Sequence, residues 1–326
     1  MLYNFRRAIS RKISKTFYSI DRRKLVEAFA RLGLRKGMTV CVHSALSRLG
    51  HIDGGPAAVI QALMETVTED GCIVMPSYAT LDSVAVYLDQ GRVFDVRKTP
   101  SAAGALTELF RTWPGVKRSL HPTNAMAAWG KHADMLLAGH ELSLTPYGDE
   151  TPFGRLARME DSYILMLETC VLSLLHHLQE RVDFPNYVLD GIRDVTVIDA
   201  NGAKRVVRTK AMRQRIPYYI AIPPQDGPGN DWALLHDFAL LFPKTREQEV
   251  RRLYRLGGYP QIFERRAQLT EAGCLAATRL GMGEIGLLHV KPFLDIEIPE
   301  FAAILARYRS CYDLAFLETA QLPRYT

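Results

Sequence analysis

The 326-residue chain has no apolar run long enough to cross a bilayer, no C-x-x-C pair, and no internal repeat or low-complexity tract. A spanning helix needs about 20 consecutive apolar residues, so a transmembrane helix is not expected. The five cysteines, Cys41, Cys72, Cys170, Cys274 and Cys311, are odd in number and widely scattered. That spacing argues against a disulfide framework and against a zinc site, and no metal is expected. A charged start followed by an apolar core and a small-residue cleavage site is also missing. A reducing cytoplasm is therefore the expected compartment.

Acidic residues are nearly absent from the first 25 positions, where Asp21 stands against Arg6, Arg7, Arg11, Lys12, Lys15, Arg22, Arg23 and Lys24. The net charge of +6 is thus concentrated in a segment carrying +7, and the rest of the chain carries −1. A nucleic-acid groove needs basic residues spread over a folded face, so nucleic acid is not an expected partner. In the same segment Leu2, Phe5, Ile9, Ile13, Phe17 and Ile20 recur at spacings of three and four. On a helix they form one apolar stripe flanked by cations. Such a stripe suits an anionic membrane surface, at the inner face of the membrane. It equally suits packing on the protein's own domain or on a homodimer mate. The expected division is a basic amphipathic segment over 1–24 and one enzyme domain over 25–326, with 181–326 as a C-terminal subdomain.

The remaining pattern alternates. Strands are predicted at Thr39–Val42, Cys72–Met75, Ala125–Trp129 and Ser162–Leu167. Helices are predicted at Ala57–Val67, Ala102–Trp113, Ala133–Ala138 and Ser173–Glu180. Val195–Ile198 and Val206–Arg208 flank an Asn201-Gly202 turn, the signal of a hairpin. Pro217–Pro228 reads as a loop, Trp232–Leu241 and Arg246–Leu256 as helices, and the glycine-dense Gly281–Gly286 as a turn. Alternation of this kind implies an α/β fold, a central mixed sheet with helices on both faces.

Between the first strand and the first long helix runs Cys41-Val42-His43-Ser44-Ala45-Leu46-Ser47-Arg48-Leu49-Gly50-His51-Ile52-Asp53-Gly54-Gly55. Serine hydroxyls and free N–H groups in such a strand-turn-helix passage can cradle phosphate or amide oxygens. An ordinary connecting turn has the same spacing. Further along, His177 and Glu180 stand three positions apart, which on a helix puts them on one face. A carboxylate-oriented imidazole there is a candidate general base. His176 projects about 100° away from its neighbour. Cys170, shortly before them, is a candidate nucleophile or a buried packing residue.

The ordered blocks carry more information than any one of them. The His43-to-Gly55 turn resembles the V-H-S-S-L-S-x-L-G-x-x-x-G-G stretch of the aminoglycoside 3-N-acetyltransferase family, the antibiotic N-acetyltransferases, and departs from it at Ala45. Phe94-Asp95, Thr99-Pro100-Ser101, Gly104 and Glu108–Val116 are similar to its second block. Arg118–Pro122 with Ala127–Gly130 is similar to its third. Thr151–Leu156 resembles its S-P-x-G-x-L turn, and His177-Leu178-Gln179-Glu180 its H-L-x-E helix. The match is strongest over 25–180.

This resemblance implies an antibiotic N-acetyltransferase-like fold and transfer of an acetyl group from acetyl-CoA directly to a primary amine. It implies His177 as base and Glu180 as its orienter. His43, Ser44, Ala45, Leu46, Ser47, Thr99 and Ser119 are then expected on the coenzyme A side. Tyr78, His121, Asn124, Glu168 and His176 are expected on the acceptor side. Two departures bear on the acceptor: Ala125 stands where the family's H-P-x-x-S serine falls, and Thr169–Leu172 is apolar where the family often has an aspartate and an asparagine. An amino sugar is therefore expected in preference to a polycationic aminoglycoside. The competing readings are an acyl-enzyme on Cys170 and a non-catalytic coenzyme A-binding or ligand-binding protein on the same fold.

Overall fold

The computed structural model describes residues 19–81, 84–169, 172–183, 187–214 and 266–311. The chain enters through Ile20, whose backbone bridges Ile52, and then forms α1 (Arg22–Arg31), β1 (Thr39–Ser44), the single turn α2 (Leu46–Leu49), α3 (Gly55–Val67) and β2 (Cys72–Pro76). Next come α4 (Val84–Asp89), β3 (Phe94–Asp95), α5 (Ala105–Arg111), β4 (Lys117–Arg118), β5 (Met126–Gly130), α6 (Ala133–Leu137), α7 (Pro152–Arg158), β6 (Ser162–Leu167) and α8 (Leu174–Arg181). The long hairpin β7 (Tyr187–Ile198) and β8 (Lys204–Gln214) follows. The described chain closes with α9 (Arg266–Glu271), β9 (Leu275–Leu280), β10 (Gly283–His289) and α10 (Val290–Cys311).

Among the described residues, seven strands form one mixed sheet in the order β4-β5-β2-β1-β6-β10-β9. Strands β2 and β6 flank β1 in parallel; β5 and β10 add antiparallel strands outside them. Side chains alternate across a strand, and the core divides accordingly. Val40, Val42, Ile73, Met75, Leu165 and Leu167 face α1, α3 and α5. Cys41, Cys72, Val74, Ile164 and Met166 face α6, α7, α8 and α10. Both sheet faces are covered by helices, which is why the parallel strands are apolar at nearly every position rather than at every second one. A second sheet, β3-β7-β8, packs Val197 and Val207 around Phe94.

Local chemistry sets the boundaries. Asp21 caps α1 by accepting from Lys24 N at 2.8 Å. Thr151 caps α7 by accepting from Gly154 N, with Pro152 at the first helical position, where a missing N–H costs nothing. The helix predicted over Ala102–Trp113 is shorter, because Gly104 at φ 107° breaks the helical backbone just before it. The predicted hairpin is longer, reaching Tyr187 and Gln214. Of Gly281–Gly286 only the first two residues turn; Gly283 to Gly286 belong to β10 and pair with β9. The strands, helices and mixed sheet otherwise follow the expected alternation. The loop at Pro217–Pro228 and the helices at Trp232–Leu241 and Arg246–Leu256 lie outside the described residues, as do residues 1–18.

The boundary expected between residues 24 and 25 falls inside α1, which runs unbroken from Arg22. Ile20 is 1% exposed and shares a core cluster with Leu25, Phe29 and Leu49. Positions 20–24 are therefore part of the folded body. Among the described residues no helix is long and apolar enough to cross a membrane. Ile20→Ala is expected to destabilise the fold by about 2–5 kcal/mol, the usual cost of a buried Ile-to-Ala cavity; a loss of unfolding free energy from urea titration under about 0.5 kcal/mol would show that Ile20 is not held in the core.

Candidate functional site

Parallel β1 lies between β2 and β6, so the chain departs to opposite sides from its carboxyl end. Open α/β sheets bind ligands in the crevice at such a switch point. Ser44, Ser77-Tyr78 and Glu168-Thr169 follow these three strands at that edge, and α8 with His177 packs beside it on the face of Cys41 and Met166.

His177 is fully buried. Its Nδ1 lies 2.7 Å from the carbonyl oxygen of Tyr147. A carbonyl only accepts, so Nδ1 carries the proton and Nε2 presents its lone pair. That Nε2 is buried without a hydrogen-bond partner, and the Asp149 carboxylate approaches it to 4.0 Å. Burial lowers the His177 pKa below 6.5, against the opposing pull of the Tyr147 carbonyl and the Asp149 charge. The ring is thus neutral at neutral pH, as a base must be.

Glu180 does not take the expected part. Its carboxylate accepts a short hydrogen bond from Thr145 Oγ1, two residues before the carbonyl that holds His177. The carboxylate facing the imidazole is Asp149, and the orienting acceptor is a backbone oxygen. The 143–151 loop explains why. It lacks regular secondary structure, and side chains supplement its few backbone bonds, such as Lys210 N to Leu144 O: Ser143 Oγ donates to Thr145 O at 2.8 Å, and Thr145 binds Glu180. Two glycines let it pack closely. A Cβ at Gly148 would lie 2.7 Å from Glu180 Oε1, and one at Gly154 would lie 2.3 Å from Asp149 O.

Tyr147 also joins its neighbours through its ring and hydroxyl. The ring lies 4.8 Å from that of His176 and 5.7 Å from that of Phe153. Its hydroxyl receives Asn124 Nδ2 at 3.0 Å and faces Tyr78 OH at 3.5 Å. Burial pushes the Tyr147 pKa up to about 12 and that of Tyr78 well above 10, so both phenols keep their protons, and Tyr147 donates to Tyr78. Tyr147 thereby brings Tyr78, Asn124, His176 and His177 together. His176 itself bonds Gln179 Oε1 through Nδ1 at 2.9 Å.

Other expected contacts are redirected. His43 points into the core beside Cys41 Sγ, with its ring 6.4 Å from that of Phe153, and burial lowers its pKa to about 4. It underlies the site rather than lining a coenzyme surface. Leu46 packs against the core, whereas Ser44 and Ala45 are half-buried and Ser47 is exposed at the edge. Ala45 N donates to Leu167 O at 2.8 Å. Ser119 is buried, accepting from Met126 N at 2.8 Å and facing His140 Nδ1 at 2.9 Å. Its hydroxyl is committed internally, not to a coenzyme. His121 is also fully buried, and its ring nitrogens face the Thr123 and Asn124 N–H groups and Thr209 Oγ1. Glu168, at φ 49°, bends back so that its carboxylate accepts from Glu284 N, which engages it with the β9–β10 turn and not with substrate.

Thr99 has two surroundings. Its hydroxyl accepts from Asp95 N at 2.8 Å, and it lines a cavity of about 480 Å³ with Ala79, Tyr87, Arg92, Ser101 and Ala102. Arg118 ties this wall to the sheet edge. Its guanidinium donates to the carbonyls of Ser77, Val96 and Thr99 and lies 4.8 Å from the centre of the Phe94 ring. Cys170 lies outside the described residues. Sequence reasoning missed Thr145, Tyr147 and Asp149. The only local signal was a tyrosine and two acids in a Thr-Pro-Tyr-Gly-Asp-Glu-Thr-Pro loop, and no periodicity marks such residues.

These features define an α/β sheet protein with a histidine-centred site at the carboxyl edge of its parallel strands. The family pattern described as aminoglycoside 3-N-acetyltransferase matches residues 41–224, and the chain belongs to that family. The SPbeta prophage-derived aminoglycoside N(3')-acetyltransferase-like protein YokD of Bacillus subtilis is 37% identical over 171 residues, covering 48% of this chain and 62% of that protein. Aminoglycoside N(3)-acetyltransferase III of Pseudomonas aeruginosa is 38% identical over 175 residues, with the same two coverages. The sequence match thus spans less than two thirds of either relative. The crystal structure of YokD superposes with a TM-score of 0.62 at 25% identity over 91% of this chain and 96% of that one. A structure of AAC-IIIb in binary complex with CoASH gives 0.64 at 21% identity over 87% and 96%, a likeness of fold.

Four buried histidines, His43, His121, His140 and His177, have pKa values held below 6.5 chiefly by burial, His121 at about 3. The unfolded chain binds protons that the folded chain refuses, so stability is full above pH 6.5 and falls as pH drops below it. His43 alone contributes about 3 kcal/mol of this loss between pH 6.5 and 4, at about 1.4 kcal/mol per unit. Urea midpoints are expected to fall steeply from pH 7 to pH 4.5; equal midpoints at both would show that these rings are not buried neutral.

Proposed function

We propose that the protein is an acetyl-CoA-dependent N-acetyltransferase acting on a primary amine of an amino sugar. The observation that carries this reading is the buried, partner-free Nε2 of His177, made an acceptor by the Tyr147 carbonyl on the other ring nitrogen. Amine acetylation needs such a group, because only the neutral amine attacks. His177 Nε2 takes a proton from the substrate ammonium, and the amine adds to the thioester carbonyl. The C–S bond then breaks, and the second proton of the attacking nitrogen, cationic once bonded to carbon, passes to the departing coenzyme A thiolate, leaving the amide and the free thiol. Asp149, beside Nε2, stabilises the imidazolium during the step. The Tyr78 hydroxyl is a protonated donor for the thioester oxygen as charge develops there. Family membership and a fold shared with a CoASH-bound protein support acetyl-CoA as the donor. The Ser44–Ser47 turn and the cavity lined by Thr99, Ser101 and Arg92 have the hydroxyls, the cation and the room to hold it.

His177→Gln is expected to lower the rate of thiol release about 10²–10⁴-fold, the usual contribution of a general base. Wild-type kcat/KM should fall as pH drops through a His177 pKa below 6.5, and stay level above it. The assay is free-thiol release from acetyl-CoA with a panel of amino sugars and aminoglycosides. A His177→Gln enzyme within threefold of wild type would move the base elsewhere, and no turnover with any amine would favour the non-catalytic binding protein.

We further propose that residues 1–18 hold the enzyme at an anionic membrane surface on the cytoplasmic side. That segment contains Arg6, Arg7, Arg11, Lys12 and Lys15, no acid, and an apolar stripe at helical spacing. Each cation near such a surface contributes about 1 kcal/mol, screened by salt. Deleting residues 1–18 should abolish co-sedimentation with phosphatidylserine vesicles at low salt while turnover of a soluble amine stays unchanged. Full-length protein that ignores the vesicles would sink the idea.

A further inference from the structure

His121 is buried and lies on an element separate from the base. Its surroundings nonetheless lead to the base step by step. His121 Nδ1 accepts from the backbone N–H of Asn124 at 3.0 Å and of Thr123 at 3.3 Å. Two backbone donors on one nitrogen require that nitrogen to be unprotonated. The proton therefore sits on Nε2, which faces Thr209 Oγ1 of β8 at 3.5 Å. One flat face of the ring stacks on His140, centroids 4.5 Å apart, and His140 is in turn held by Ser119. The imidazole is thus clamped from the second sheet, from the His140 turn and from the loop ahead of β5.

The clamp fixes Asn124. Its Oδ1 receives Thr123 Oγ1 at 2.7 Å, and its Nδ2 donates to Tyr147 OH, 3.0 Å away. Tyr147 then holds His177 through its carbonyl. The 143–151 loop belongs to no helix or strand; Lys210 N holds the Leu144 carbonyl and Thr151 N holds that of Gly148, and between these two points the phenol anchor and the Thr145–Glu180 contact fix Tyr147.

We propose that His121 is a positioning residue for the transfer reaction: through Asn124 and Tyr147 it sets the orientation and tautomer of the His177 base. The proposal rests on His177 being that base. Misplacing a catalytic group by about 1 Å can cost about 10²-fold. His121→Leu, which keeps volume and removes the acceptor, should therefore lower kcat about tenfold to a hundredfold, with KM for acetyl-CoA within about twofold. His121→Asn restores an acceptor for the Asn124 N–H and a donor for Thr209, and should recover kcat to within about threefold of wild type. Because the effect passes through the phenol, His121→Leu should cost little more in a Tyr147→Phe background, a non-additivity that a double-mutant cycle reads.

A second measurement does not depend on turnover. Long-range ¹H–¹⁵N spectra of the imidazoles should show His177 as the Nδ1–H tautomer in the wild type. In His121→Leu and in Tyr147→Phe they should show a mixture with the Nε2–H tautomer. Wild-type kcat in His121→Leu, independent multiplication of the two single effects, or an unchanged tautomer in both variants would each overturn the proposal. If His121→Leu fails to fold, Tyr147→Phe and His121→Asn decide it. An unchanged tautomer in Tyr147→Phe, or a folded His121→Asn that stays more than tenfold impaired, is equally fatal. Should His177→Gln remain active, the base assignment falls, and the tautomer spectra still decide whether His121 positions that ring.

Discussion

A buried imidazole is tolerated only if its N–H finds an acceptor, and the hydrogen bond from His177 Nδ1 to the Tyr147 carbonyl meets that need at the reacting end of this molecule. Leaving such a donor unmade inside a protein costs about 1–3 kcal/mol. The bond also dictates the chemistry, since fixing the proton on Nδ1 frees the lone pair on Nε2. Much of what surrounds it keeps one carbonyl in place. Glu180 holds Thr145, Gly148 and Gly154 let the loop come close, and Asn124 holds the Tyr147 hydroxyl. The H-x-x-E spacing on α8 thus has a geometric purpose different from direct pairing: the histidine meets the loop carbonyl, and the glutamate holds the loop two residues upstream.

The sheet makes this economical. Alternation along β1 sends Val40 and Val42 to one helical layer and Cys41 and His43 to the other. The residues that follow β1, β2 and β6 emerge at one edge. Loops from distant parts of the chain converge there because the strands end there, so Tyr78, Asn124, Tyr147 and His177 meet although about a hundred positions separate the first from the last. Arg118 stiffens the same edge by donating to three carbonyls in two separate segments, Ser77 after β2 and Val96 and Thr99 after β3.

The buried polar groups around the candidate base are mostly uncharged. Four histidines sit buried and neutral, and the two phenols of the site are pushed away from ionisation by desolvation. Hydrogen bonds between neutral groups of this kind hold geometry without the desolvation cost that buried ions carry. Asp149, in contrast, stays largely exposed beside the base, where it acts on the imidazolium without being buried itself.

Secondary structure was legible in the chain because its causes are local. Apolar runs bounded by glycine and proline marked the parallel strands, the Asn201-Gly202 pair marked the hairpin, and three-residue spacing put His177 and Glu180 on one helix face. The same locality explains the misjudged boundaries: Gly104 delayed the start of a helix that its apolar period would have begun earlier, and β10 absorbed the glycines of Gly283–Gly286. The roles of side chains were less legible. Ser119, His121 and Glu168 look like ligand-binding residues in sequence, yet each has its polar atoms taken by groups far along the chain: His140, Thr209 and Glu284. Tyr147 showed no sign of importance, because a loop tyrosine gains its meaning from what its carbonyl and hydroxyl happen to face. The sequence alone determined the α/β alternation, the family and the identity of the candidate base. Only the tertiary structure decided what holds that base, since hydrogen-bond partners are chosen by proximity in space, and proximity is set by how the strands end and the loops converge.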